Sequence, residues 1–124
     1  MNVTIPGKPV PCPRPRVGKH GTYYPDNYKA WHETASVLMR DAAVRQNGGR
    51  LYEGPVRVTC RFYGAHKGAD LDNLVKSVFD AANGMVFRDD RQVVELGAVK
   101  CGVPDGETAH TEVTIEELTA QRGP

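Results

Sequence analysis

Residues 55–64 read PVRVTCRFYG, in which Val56, Val58, Cys60 and Phe62 alternate with Arg57, Thr59, Arg61 and Tyr63. Successive side chains of a strand point to opposite faces, so this pattern fits a strand with one face on a core and the other in water. Such two-faced alternation is typical of antiparallel sheets, and antiparallel pairing is expected here. Shortly afterwards, in DLDNLVKSVFDAANG, the apolar period changes. Leu74, Val75, Val78, Phe79 and Ala82 recur at helical spacing, which predicts a helix from about Asp72 to Asn83 with Gly84 at its end. A half-buried strand followed by an amphipathic helix requires a sheet on which that helix can pack.

The remaining segments supply the sheet. MNVTIPG alternates Val3 and Ile5 with polar neighbours until Pro6-Gly7 stops it. KPVPCPRPRVGKHG holds four prolines in fourteen residues, which forbids a helix and predicts an extended, solvent-facing arm over about residues 6–21. TYY after it fits a brief strand. NYKAWHETASVLMRDAAVRQNGG reads as a long helix capped by Asp26 and stopped at Gly48 or Gly49, with Trp31, Ala35, Leu38 and Ala42 as its buried stripe. VVELGAVKCGV and HTEVTIEE read as two final strands joined by a loop containing Pro104-Asp105-Gly106. The expected class is α+β, two helices on a small, mostly antiparallel or mixed sheet, in a single domain over residues 1–124.

No apolar run is long enough to span a membrane and no basic-then-apolar opening marks a leader, so a cytoplasmic protein without membrane contact is expected. Cys12, Cys60 and Cys101 are odd in number and lack ligand spacing, which fits reduced thiols. His20, His32, His66 and His110 likewise have no ligand-spaced partner. The net charge of +1 hides an asymmetry. Residues 1–50 carry eight Lys/Arg against three acids, and residues 51–124 carry eight against twelve. A polyanion-binding part beside an acidic cluster gives such a split.

The acids gather at the second helix. If Asp70 and Asp72 are extended, their carboxylates point the same way, roughly 6.6 Å apart along the chain. Asp72 stands at the expected N-cap, and Lys76 lies one turn on, about 6 Å along the axis and on nearly the same face. The helix then turns the chain back, and Asp89 and Asp90 precede a strand. If that strand lies beside the one leading to Asp70, one of these two acids joins the pair. Two unit charges 4 Å apart repel by roughly 4 kcal/mol at an effective dielectric of 20, so converging carboxylates call for a cation, and oxygen-only ligation points to Mg²⁺ or Mn²⁺. The same residues also read as a helix cap, a turn residue and a Lys76–Asp80 pair at i+4.

DLDNLVKSVFDAANGMVFRDDRQVVEL resembles the signature of the RusA family of Holliday junction resolvases, often carried by phages and prophages: DxDNxxKxxxD, a short spacer, then DDxQ and a strand. Asp70, Asp72, Asn73, Lys76, Asp80, Asp89, Asp90 and Gln92 fill its positions. IPGKPVPCPRPRV and TYYP resemble the family's basic, proline-rich opening. The resemblance implies a homodimeric, Mg²⁺-dependent endodeoxyribonuclease that resolves four-way DNA junctions by paired symmetric nicks. By position it implies Asp70, Asp72 and Asp90 as metal ligands and Lys76 as the essential lysine, with Asp89 a weaker candidate ligand. This site exists only if Asp90 reaches Asp70 and Asp72.

DNA contact is expected from Lys8, Arg14, Arg16 and Lys19 on the arm, with Tyr23 or Tyr24 stacking on a base and Arg57 and Arg61 as further candidates. Trp31, at the centre of its helix's stripe, reads as core or dimer interface. Two alternatives remain open at this level: a nuclease of flaps and forks, and a non-catalytic DNA-binding module with a structural metal.

Overall fold

In the computed structural model, residues 1–13, 16–18, 21–23 and 25–118 are described, without the side chains of residues 14–24. Strand β4 (Val56–Tyr63) keeps the alternation, with Val56, Val58, Cys60 and Phe62 at most 1% exposed. It lies inside a four-stranded sheet ordered β1-β6-β4-β5, built from β1 (Asn2–Pro6), β5 (Val93–Cys101) and β6 (His110–Glu117). Helices α1 (Asp26–Asn47) and α2 (Leu71–Ala82) contribute Trp31, Ala35, Met39, Leu74, Val75 and Val78 to one core with Ile5, Val58 and Ile115. This is an α+β fold with a mixed sheet.

The antiparallel expectation holds on one side of β4 only. β6 pairs antiparallel with it, but β5 runs parallel, Val56 facing Val93 and Tyr63 facing Cys101. The cause is α2, which carries the chain back along β4 so that β5 starts beside the start of β4. The register shifts between Val56 and Arg57, opposite the step from Val93 to Glu95.

Helix α1 ends as expected, with Gly48 left-handed at φ 64° and its N–H on the Ala43 carbonyl. Its N-cap is Pro25, and Asp26 is instead the first helical residue, where an anion meets the positive end of the dipole. Met39 is fully buried where Leu38 was expected and Leu38 is only half-buried. Ala35 and Met39 are four apart and stay on one face.

Helix α2 starts one residue earlier than its pattern suggests, and Asp70 rather than Asp72 is its N-cap. The carboxylate of Asp70 makes no capping hydrogen bond, which forgoes about 1 kcal/mol. Burial of Leu74, Val75 and Val78, worth about 1.5–3 kcal/mol each, holds the helix regardless. Packing therefore leaves that carboxylate free for other work.

The root of the proline arm is not solvent-facing. Pro9 and Cys12 are buried, the Cys12 N–H donates to the Asn73 carbonyl at 2.9 Å, and Ser77 Oγ donates to the Val10 carbonyl at 2.7 Å. The arm's prolines remove their own donors, so its carbonyls take partners from α2. Beyond, β2 (Arg16–Gly18) and β3 (Gly21–Tyr23) pair as an antiparallel ribbon, which includes the strand expected at TYY. The three cysteines are free, and burial pushes the Cys60 thiol up to about 12, which leaves it inert. No helix among the described residues is long and apolar enough to cross a membrane.

Candidate active site

Asp70, Asp72 and Lys76 share the N-terminal end of α2. Asp70 is extended at φ −72°, ψ 133°, and Asp72 sits in the first turn, so the two carboxylates do not follow the strand geometry expected of them. Both are nevertheless exposed at the helix end whose dipole favours anions. Among the described residues, Asp72 Oδ1 accepts only the adjacent Asn73 N–H, at 2.9 Å. Lys76 is exposed, one turn along on the polar side that also carries Asp80. From the sheet, Lys100 Nζ donates to the carbonyls of Lys67 (3.1 Å) and Ala69 (2.8 Å), tying the loop before Asp70 to the C-terminal end of β5.

Asp80, four residues beyond Lys76, is engaged elsewhere. Its Oδ2 accepts Tyr28 Oη at 3.0 Å and Cys12 Sγ at 3.4 Å, which joins α1 and the arm root to α2. Burial holds the Tyr28 hydroxyl well above the usual phenol range, with the bonds to Cys12 and Asp80 acting in the same direction. An open cleft of about 720 Å³ beside it is lined by residues of both signs, Lys29 and Glu33 among them.

Asp89 and Asp90 lie at the other end of α2. Asp89 caps a 3-10 turn over Asp90–Gln92, its Oδ1 accepting the Arg91 N–H at 2.8 Å. That backbone bond, before the Arg91 side chain, keeps its carboxyl below the ordinary range. Gln92 completes the turn: its Oε1 accepts the N–H groups of Arg88 (2.9 Å) and Asp89 (3.2 Å), and its Nε2 donates to the carbonyls of Tyr52 and Gly54, both at 2.8 Å. The glutamine that closes DDxQ is thus a scaffold residue, and the D-x-x-Q spacing of a capping box is the signal by which sequence reasoning can find it. Lys100 and Tyr28 carry no such signal.

Within one chain the two acidic ends do not meet. β5 runs parallel to β4, so Asp90 precedes the start of β5, while Asp70 lies near Lys100 toward its end. The seven steps from Val93 to Lys100, at about 3.3 Å each, separate those ends by roughly 23 Å. The expected juxtaposition required the start of β5 to lie next to the loop before α2, which a parallel crossover prevents. Among the described residues no group of three His, Cys, Asp or Glu side chains is placed to hold a metal ion.

The family model of endodeoxyribonuclease RusA matches residues 6–116. The chain belongs to the RusA family. It is an endodeoxyribonuclease of the Holliday junction type, with recombination and DNA binding as its setting. No curated protein matches the chain.

Of the bases assigned to DNA in this RusA protein, Lys8 is exposed. Arg14 and Lys19 lie outside the described residues, as does Tyr24. Arg16 and Tyr23 fall on β2 and β3 with their side chains outside the description. Arg57 is committed to the sheet, its Nε on Glu95 at 2.6 Å and its Nη1 on Glu116 at 3.3 Å, while Arg61 is exposed. Trp31 is core, 6% exposed.

Proposed function

We propose that this RusA protein is a homodimeric, Mg²⁺-dependent resolvase that cuts four-way DNA junctions by paired symmetric nicks, Mn²⁺ serving as substitute. The observation that carries the reading is the uncapped N-terminus of α2, where Asp70 and Asp72 stand exposed one turn from Lys76. An all-oxygen donor set of this kind suits a hard divalent cation. Asp70 and Asp72 are its ligands at this helix end; Asp90, the third ligand that the family resemblance implies, stands at the other end of β5 and does not complete the set within one chain, and Asp89 is engaged by Arg91. Such an ion supplies positive charge against the scissile phosphate and acidifies water for attack.

The side chains divide the remaining work. Asp70 and Asp72 would hold the cation, and the positive end of the α2 dipole beside them offsets part of their mutual repulsion. Lys76 projects from the same polar side and meets charge that builds on the phosphoryl oxygens, an interaction stronger in the transition state than in the bound substrate. Lys8, Arg14, Arg16 and Lys19 grip phosphates away from the reacting centre, which gives affinity without chemistry.

The test is a labelled mobile four-way junction, with flap, fork and duplex controls, incubated with and without Mg²⁺. Symmetric paired nicks in the junction alone, dependent on the ion, are expected. Equal cutting of flaps and forks would replace the reading with a broader branched-DNA nuclease. A metal-raised melting temperature with no cutting of any substrate would replace it with a structural site.

A further inference from the structure

The cleft between α1 and the far end of α2 takes no part in the metal site proposed above. It encloses about 720 Å³, within the range of small-molecule sites, and is lined by Tyr28, Lys29, His32, Glu33, Asp80 and Asn83. Two of these residues, one on α1 and one at the C-cap of α2, carry unsatisfied polar atoms. His32 Nδ1 and Asn83 Oδ1 are covered and have no hydrogen-bond partner among the described residues. Covered polar atoms are nearly always paired, so two orphans beside one cleft point to a group that pairs with them. Rotation about the last side-chain bond, which is soft for both residue types, turns either atom outward.

The lining suits a nucleobase better than a phosphate. Lys29 stands with two carboxylates, those of Glu33 and Asp80, which disfavour a bare anion. The His32 ring, 5.8 Å from the Tyr28 ring and tilted 35° to it, offers a flat surface on which a base can stack. An asparagine amide sets a donor beside an acceptor, which matches the N6 and N7 edge of adenine, and a carboxylate such as that of Glu33 accepts from an exocyclic amino group. Thymine has no amino group to offer.

Position ties the cleft to the reacting end of the helix. Asp72, Lys76, Asp80 and Asn83 follow at i, i+4, i+8 and i+11, a single stripe along α2 and its cap. Asn83 lies about 16 Å from Asp72 along the axis, a span that about five stacked nucleotides cover. The Tyr28 hydroxyl, donating to Asp80 Oδ2 at 3.0 Å, holds the two walls together.

We propose that this cleft binds an unpaired nucleobase of the branched DNA, adenine in preference to thymine, within about five nucleotides of the scissile phosphate. The proposal rests on the nuclease reading above and adds a site of base selection away from the metal. Asn83 and His32 contact the base, Tyr28 backs the His32 ring, and the exposed Lys29 meets the adjoining phosphate at the rim.

An abasic scan tests it. Four-way junctions carrying one abasic residue at successive positions are titrated by gel shift without divalent cation. One position within about five nucleotides of the cut should weaken binding about tenfold, as loss of a stacked base does. Adenine at that position should bind about fivefold tighter than thymine. Asn83→Ala should abolish that difference with an unchanged melting temperature, since its Oδ1 gives up no hydrogen bond. Deoxyadenosine, but not thymidine, should shift the His32 ring resonances of the free protein.

A flat scan, with wild-type chain binding the intact junction, would overturn the proposal, as would equal affinity for adenine and thymine. Shifts from deoxyadenosine beside a flat scan would assign the cleft to a free nucleoside and remove it from DNA recognition. If wild-type chain binds no branched DNA, the nuclease reading fails instead, and the nucleoside titration alone decides whether the cleft takes a base.

Discussion

The two ends of α2 carry the same residue type in different states. At the N-terminal end Asp70 makes no capping bond, Asp72 accepts its neighbour's N–H, and both residues are exposed. At the C-terminal end Asp89 is locked into a turn by Arg91, and Gln92 makes four hydrogen bonds, two from the Arg88 and Asp89 N–H groups and two that tie the turn to the carbonyls of Tyr52 and Gly54. One end exposes acids that packing elsewhere leaves unused. The other spends acid and amide groups on shape, and through that shape sets where Asp90 stands. The DDRQ string is therefore mostly scaffold, with chemistry proposed for one of its acids.

Substitutions at the two ends should separate these roles. Asp72→Asn, on the exposed end, is expected to lower junction cleavage by about 10²–10³-fold or more, since in the proposed site it removes a ligand of the cation that stabilises the transition state. Its unfolding free energy from urea melts should move by no more than about 0.5 kcal/mol, as for other exposed substitutions, and junction affinity in a gel-shift titration should hold. Cutting at the wild-type rate would remove Asp72 from the chemistry.

Gln92→Ala, on the scaffold end, should invert that pattern. It strips partners from two carbonyls and two N–H groups, several of them partly buried, and an unfolding loss of about 2 kcal/mol is expected from urea melts. Cleavage should fall as well, because the Asp90 turn loses its anchor. A stable variant with intact cleavage would mean that the turn holds itself.

The smallest effect belongs to Asp89. Its carboxyl lies below the ordinary value of 3.8 in the folded chain, so its contribution is present above that value and fades as pH falls through the lowered one. Asp89→Asn should remove this part of the acid limb of the stability curve and leave the neutral region nearly unmoved. An acid limb that superimposes on wild type would show that the Arg91 N–H holds the amide equally well.

Much of this was legible in the chain. The alternation in Val56–Tyr63, the helical period after Asp72 and the strands at Val93 and His110 all declare themselves locally, because burial on one face imposes a period on the residues that make it. Elements whose partners are distant in sequence were harder to read. The arm looked solvent-facing because proline content says how a segment bends and not which helix will accept its carbonyls. Met39 replaced Leu38 in the core because two apolar neighbours on a helix differ by only 100° of rotation, which the sheet below resolves.

The acids show the boundary most clearly. Residue types and spacing alone determined that Asp70, Asp72 and Lys76 share one helix end, since a few residues of local geometry suffice for that. The direction of β5 relative to β4, and with it the distance from Asp90 to the other acids, was decided by the tertiary structure. Strand direction depends on how a crossover helix returns across the sheet, a choice made by packing among Leu74, Val78, Val58 and Phe62 and not encoded in the spacing of the motif.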